Sequence, residues 1–415
     1  MLPLPPCGGA RPRNVIKQRS GSADAIERSE GDQPPRSIFT SNPPPYPPPQ
    51  GGRRREIATS LIFAILCLGI AATQAQADAD HAAIAKASLE QYIRPAYAHF
   101  AESSDALSQS VAALCRKSSP TALKDTKEAF AATVEAWGLV EPIRFGPVAE
   151  QHRYERIFYW PDPKGLGARQ VREALGKQDQ TVTKAASLSG KSVALQGLPA
   201  LEYLLYGDDA GTLAKGGGEA ILRCRFAETI AANLAGMAKD VASGWQDGAP
   251  YAKAYLEPGP ANSAYHNEKE VTLELFKTFT TGIEVVRDQK MAKALGPKPE
   301  QARPQLAPFW RSGLSFANMA DNLKSVRELF AKGGFAQVVH DDSAGVEDSI
   351  VFDLNHAIEV LRGIDKPIAE SVRSEDLRAK LEALRVSLKG AATTAGDAIS
   401  RGAGLTFGFN AMDGD

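Results

Sequence analysis

Cysteine and histidine are scarce in this 415-residue chain, at 4 and 6 residues, and the motifs that commonly use them are missing. No H-E-x-x-H occurs, which excludes an ordinary zincin site. No serine sits in a G-x-S-x-G elbow, so the nucleophile of an α/β-hydrolase is absent. Ser189-Gly190-Lys191-Ser192 has the end of a phosphate-binding loop, but Ala185 stands where its first glycine is required. Alternating apolar and polar residues of the kind that mark half-buried strands are also lacking. Charge is balanced, with 48 Lys and Arg against 49 Asp and Glu, which leaves no footprint for nucleic acid. The apolar run from about Leu61 to Ala72 is shorter than the roughly 20 residues that cross a bilayer.

The front of the chain is unlike the rest. Residues 1–50 hold 12 of the 27 prolines, and such a segment cannot bury a core. Arg53, Arg54 and Arg55 follow, then the apolar run, then the small-residue site Ala75-Gln76-Ala77. That order of parts is a secretory signal peptide. The expectation is a Pro-rich leader or over-extended start at 1–52, a signal peptide at 53–77 cleaved after Ala77, and a mature protein in the periplasm or cell envelope. Leu66 is too large to precede a lipid-modified Cys67. The first 77 residues carry nine basic and five acidic side chains, which leaves 39 against 44 and a mildly acidic mature chain. Two cysteines remain, Cys115 and Cys224. In an oxidising compartment they suggest one disulfide, with two reduced buried thiols as the alternative.

Apolar residues recur at helical spacing through the mature chain. One stripe is Leu89, Ile93, Tyr97, Phe100, Leu107, Val111 and Leu114, and others are Phe130, Val134, Trp137 and Ile230, Leu234, Met237, Val241. The second half continues with Phe276, Phe279, Ile283, Val286, with Phe316, Met319, Leu323, Val326, Phe330, and with Leu377, Leu381, Leu384, Leu388. Ser119-Pro120 and Ser374-Glu375-Asp376 read as helix starts. The spacing predicts an all-α fold of two antiparallel helical bundles. Residues 247–262, with three prolines and two glycines, read as a linker between bundles at 78–246 and 263–415. Pro199–Gly207 and His356–Gly363 echo one another, as a duplication would.

Glu202 stands in the apolar stretch Gly197–Gly207, and a buried carboxylate must find a cation, a metal or hydrogen-bond donors. Arg311 is the candidate cation, in Pro308–Ser315, where Ser312 and Ser315 can cap or donate. His-x-x-Glu occurs at His152–Glu155 and His356–Glu359, a spacing that puts both side chains on one helix face. Either pair could share a metal or form a solvated ion pair, and Asp353 lies one turn before His356. A candidate metal set for iron or zinc is Glu202, His356 and Glu359. Asp413 and Asp415 offer acidic oxygens for a hard cation, or form a disordered tail.

The helix Gly197–Gly207 resembles the Gly-x-His-x-x-Glu motif of the imelysin-like family, with Pro199 at the histidine position. Similar to that family are also Trp137 with Arg144-Phe145-Gly146-Pro147, the stretch Arg156–Asp162, Arg311–Ser315 and the tail Gly408–Asp415. The resemblance implies two helical bundles, an envelope location and a link to iron acquisition. The family carries a metallopeptidase label, its motif His and Glu being the presumed ligands. Only Gly197 and Glu202 carry over here. The resulting expectation is a non-catalytic binding protein for iron, haem or another small ligand, with Glu202, Arg311, Ser312 and Ser315 in its pocket. Its partner would be an outer-membrane or periplasmic uptake protein, with no nucleic acid and no membrane span after cleavage. A metallopeptidase and a structural envelope protein are the alternatives.

Overall fold

Amphipathic helices fold back on one another through the described residues. The computed structural model describes residues 79–218 and 220–405, which fall within one compact unit, Gln74–Asp415. The expected leader, the expected signal peptide with its Ala77 site, and the tail with Asp413 and Asp415 lie outside the described residues. The first helices are α1 His81–Ser88, α2 Arg94–Arg116, α3 Pro120–Val140, α4 Arg153–Ile157 and α5 Leu166–Gly176. There follow α6 Gly197–Tyr206, α7 Ala220–Gly244, α8 Pro250–Leu256 and α9 Glu268–Glu284. The last are α10 Ser315–Lys332, α11 Phe335–Asp342, α12 Val346–Arg362 and α13 Glu375–Gly402. No strand occurs among the described residues. The Ser119 hydroxyl accepts the Ala122 N–H at 3.0 Å and Pro120 opens α3, as the cap signal predicts.

Two groups of helices result. In the first, α2 packs along α3 and α7, and α6 lies on α7. In the second, α10 packs between α9 and α12, while α13 covers α9, α11 and α12. The groups meet where α3 crosses α10 and where α1 lies on α9, and one hydrophobic cluster runs through both. The crossing is close: a Cβ on Gly138 of α3 would stand 2.5 Å from the Asp321 Cβ of α10. Within the expected linker, Pro250–Leu256 form a helix because Tyr255 belongs to the core. Its ring packs against Phe145, Trp245 and Tyr265, and its hydroxyl meets the Ser88 hydroxyl at 2.7 Å. The echoed positions differ in environment, since Glu202 is buried and Glu359 exposed.

Two π-helical stretches, Leu89–Ile93 and Val285–Met291, turn polar side chains into the junction between the groups. Tyr92 bonds the Leu139 carbonyl and meets the Ser325 hydroxyl at 2.5 Å. Lys290, wholly buried, places its ammonium 2.5 Å from Glu141 Oε1 and donates to Asn318 and Asn322 at 2.6 and 2.5 Å. Glu141 Oε2 in turn accepts from both asparagines at 3.1 Å. Burial lowers the lysine to a pKa of about 8, against the pull of Glu141. Nearby, burial raises Asp321 to about 7, opposed by its ion pair with Arg362.

Cys115 on α2 and Cys224 on α7 are joined in a disulfide, their Cα atoms 5.5 Å apart, so the reduced-thiol alternative does not apply. The bond closes a long loop, with a sequence separation of 109, and constrains the unfolded chain accordingly. Replacing both cysteines by serine is expected to lower stability by about 2–4 kcal/mol. Urea unfolding of the variant beside the oxidised protein checks this.

Candidate functional site

The start of α6 can be built only with glycine. Gly197 has φ +68°, and a Cβ there would lie 2.1 Å from the Ile157 carbonyl oxygen. Pro199 follows in the first turn, where its missing N–H costs no intrahelical hydrogen bond. One turn later Glu202 points inward, 3% exposed. Its Oε1 accepts two hydrogen bonds from Ser312, from the backbone N–H and from the hydroxyl, each 2.8 Å.

The turn that presents Ser312 is itself fixed. Phe309 adopts φ +54°, a conformation that costs a non-glycine residue about 1–3 kcal/mol, and packing holds it there. Its ring stacks on Phe158 with centroids 5.4 Å apart and meets Phe130 edge-on. The Ser312 hydroxyl also reaches the Phe309 carbonyl at 3.1 Å, and Ser315 donates to the Pro308 carbonyl at 2.7 Å.

Glu202 lines a cleft of about 410 Å³. Pro199 of α6 forms part of its floor. One wall is the stretch from Phe158 to Ala168 and the other is Pro304 to Arg311. Trp160 ties the walls together, its indole N–H donating to the Leu306 carbonyl at 3.0 Å. Asp162 accepts the N–H groups of Leu166 and Gly167 at 2.8 Å and so anchors the start of α5 beside the cleft. Burial pushes the Glu202 carboxyl above the ordinary carboxylate range, while the Ser312 hydrogen bonds and the charge of Arg311 oppose the shift.

Four expectations need correction. Arg311 makes no ion pair with Glu202, because its guanidinium lies over the rings of Trp310 and Tyr203, 4.4 and 5.3 Å from their centres. Ser315 is spent on its own turn and does not line the cleft. His356 and Glu359 are exposed on α12, whose buried stripe is Ile350, Leu354, Ala357 and Leu361, so they do not join Glu202. Among the described residues no three His, Cys, Asp or Glu side chains form a group that could hold a metal. Nor do His152 and Glu155 share a helix face as the spacing predicts. His152 has φ +55° and stands before α4 as its cap, and both residues line a different cavity. The tryptophans and Phe309 were missed, although Phe158-Tyr159-Trp160-Pro161 and Phe309-Trp310 are concentrated enough in aromatics to have marked the walls.

Residues 93–394 match the family model of imelysin, peptidase M75. The chain belongs to the imelysin family. Among solved structures, this family member is similar to an imelysin-like protein from Psychrobacter arcticum 273-4. The two are 19% identical over 79% of this chain and 97% of that one, with a TM-score of 0.66. A second similar structure is a provisionally assigned iron-regulated protein A precursor from Parabacteroides distasonis ATCC 8503. It is 14% identical, covering 77% of this chain and 95% of that one, with a TM-score of 0.62. At such identities the likeness is one of fold. No curated protein matches the chain.

The residues at the imelysin motif do not fit a resident metal. Pro199 has no donor atom, and Glu202 Oε1 is already committed to Ser312. Glu202→Ala is expected to cost about 1–3 kcal/mol by stranding the Ser312 N–H, its hydroxyl keeping the Phe309 carbonyl, whereas Glu202→Gln keeps an acceptor and costs less. Because burial raises the Glu202 pKa, its share of stability is full below the unfolded value near 4.3 and declines as pH rises through the folded value. The stability of the wild type relative to Glu202→Gln should therefore fall on going from about pH 4 to neutrality, measured by denaturant unfolding across that range.

Proposed function

We propose that this imelysin-family chain is an exported, non-catalytic binding protein in iron or haem handling, and that the Glu202 cleft holds its ligand. The observation that carries the reading is a carboxylate fixed by two Ser312 hydrogen bonds in a motif whose histidine position is Pro199. Hydrolysis at a zinc centre needs a bound metal with an open position for water, and this constellation supplies one committed carboxylate. The cleft's aromatic walls, Trp160, Phe309 and Trp310, suit a flat, partly apolar ligand, and Arg311 among them suits a carboxylate on its edge. Haem or an organic iron chelate has that chemistry. The fold likeness to an iron-regulated protein A precursor agrees with it. Export rests on the signal-peptide reading of residues 53–77. No helix among the described residues is long and apolar enough to cross a membrane. An uptake protein of the envelope is the partner such a role requires.

The test is titration of the chelator-free protein with haemin, ferric citrate and zinc, followed by tryptophan quenching and elemental analysis. Haemin or ferric citrate should quench the tryptophans, and Arg311→Ala should weaken that ligand about tenfold, the worth of one charge-assisted contact. Stoichiometric zinc that disappears in Glu202→Ala, together with peptide hydrolysis, would overturn the reading in favour of a metallopeptidase.

A further inference from the structure

Phe158, Tyr159 and Trp160 line a second cavity as well as the Glu202 cleft. It measures about 340 Å³, and its polar residues are Arg144, His152, Tyr154, Glu155 and Tyr159. Glu202 and Arg311 do not line it. Neither Arg144 nor Glu155 forms an ion pair among the described residues, with each other or with any other side chain. Arg144 instead lies over the Tyr154 ring, 4.9 Å from its centre. Both charges are nevertheless close to one atom. The Tyr154 hydroxyl is buried beside the Arg144 side chain, which donates toward it. Burial raises the Tyr154 pKa, the charge and hydrogen bond of Arg144 lower it, and the charges of Glu141 and Glu155 raise it. Opposite charges thus flank one cavity.

The backbone holds this arrangement at a cost. Gln151 and His152 are consecutive non-glycine residues with φ +54° and +55°, a strain of about 1–3 kcal/mol each. The turn is braced by Arg153, which donates to the Pro147 carbonyl at 2.8 Å and to Glu150 at 3.0 Å. Its effect is to set His152 as the cap of α4 and Glu155 in the first turn, at the rim of the cavity.

We propose that this cavity binds a small zwitterion of the α-amino-acid type with an apolar side chain. Its carboxylate lies on Arg144, its ammonium on Glu155, and its side chain against Tyr159 and Trp160. The fork of an arginine matches a carboxylate, and a ligand ammonium supplies the partner Glu155 lacks. A simple carboxylate would leave Glu155 unanswered. A divalent cation would find only His152 and Glu155 and would be repelled by Arg144. The volume is of the order that small-ligand pockets have, about 300–1,000 Å³.

Calorimetric titration of the purified protein with L-leucine, L-methionine, L-phenylalanine and L-tryptophan tests this, with phenylpropionate and phenethylamine as single-charge analogues. At least one amino acid should bind, and each analogue should bind about tenfold or more weakly than phenylalanine. Arg144→Gln and Glu155→Gln should each weaken the amino acid about tenfold, and Arg144→Lys less. Arg144 and Glu155 are exposed, so circular dichroism and melting temperature should stay unchanged in these variants. Absence of binding by all four amino acids at millimolar concentration overturns the proposal, as does equal binding of the analogues. Loss of binding in Glu202→Gln with full binding in Arg144→Gln also overturns it, by assigning the ligand to the other cavity.

Discussion

A lysine with no exposed surface governs how the two helix groups meet. Lys290 comes from a π-helical stretch, Glu141 follows the last turn of α3, and Asn318 and Asn322 are one turn apart on α10. The register of these three elements brings the ammonium to Glu141 Oε1 and both asparagine amides to Oε2. Burying such a pair gains little net stability, because desolvation offsets the attraction, but breaking it strands a charge in the core. Alignment is therefore what the network contributes.

That alignment reaches the two cavities. The Lys290 ammonium is 5.6 Å from the ring centres of both Phe158 and Trp160, the residues that wall the Glu202 cleft on one side and the Arg144 cavity on the other. From Trp160 the support continues through its bond to Leu306, then through Phe309 to the turn that presents Ser312. Glu202 thus owes its partner to a chain of contacts that begins at the junction between the groups. The ligand chemistry suggested for each cavity depends on where its aromatic walls stand, and these contacts place them.

Much of this was legible in the sequence. The stripe Phe130, Val134, Trp137 runs on to Glu141 at the same spacing, and Phe276, Phe279, Ile283, Val286 runs on to Lys290. Each stripe places its charge on a buried face, yet nothing local says that these two charges meet, since their pairing depends on how distant helices cross. Glu202 was legible as buried for the same reason. Ser312 was legible as a candidate donor and is its partner, but the ion pair with Arg311 does not form, because Arg311 has aromatic neighbours to lie on instead. His356 and Glu359 misled because spacing i, i+3 places two side chains together without saying which face they share. Pro199 was plain from the start as a motif position without a donor.

The alignment role of the buried network is tested most directly by a double-mutant cycle on Glu141→Gln and Lys290→Met, followed by urea unfolding. Each single variant should lose about 3–5 kcal/mol by leaving a buried charge or polar partner unanswered, and the double variant should lose well under the sum, a coupling of about 2 kcal/mol or more. Single losses within about 0.5 kcal/mol, adding simply in the double variant, would contradict the account.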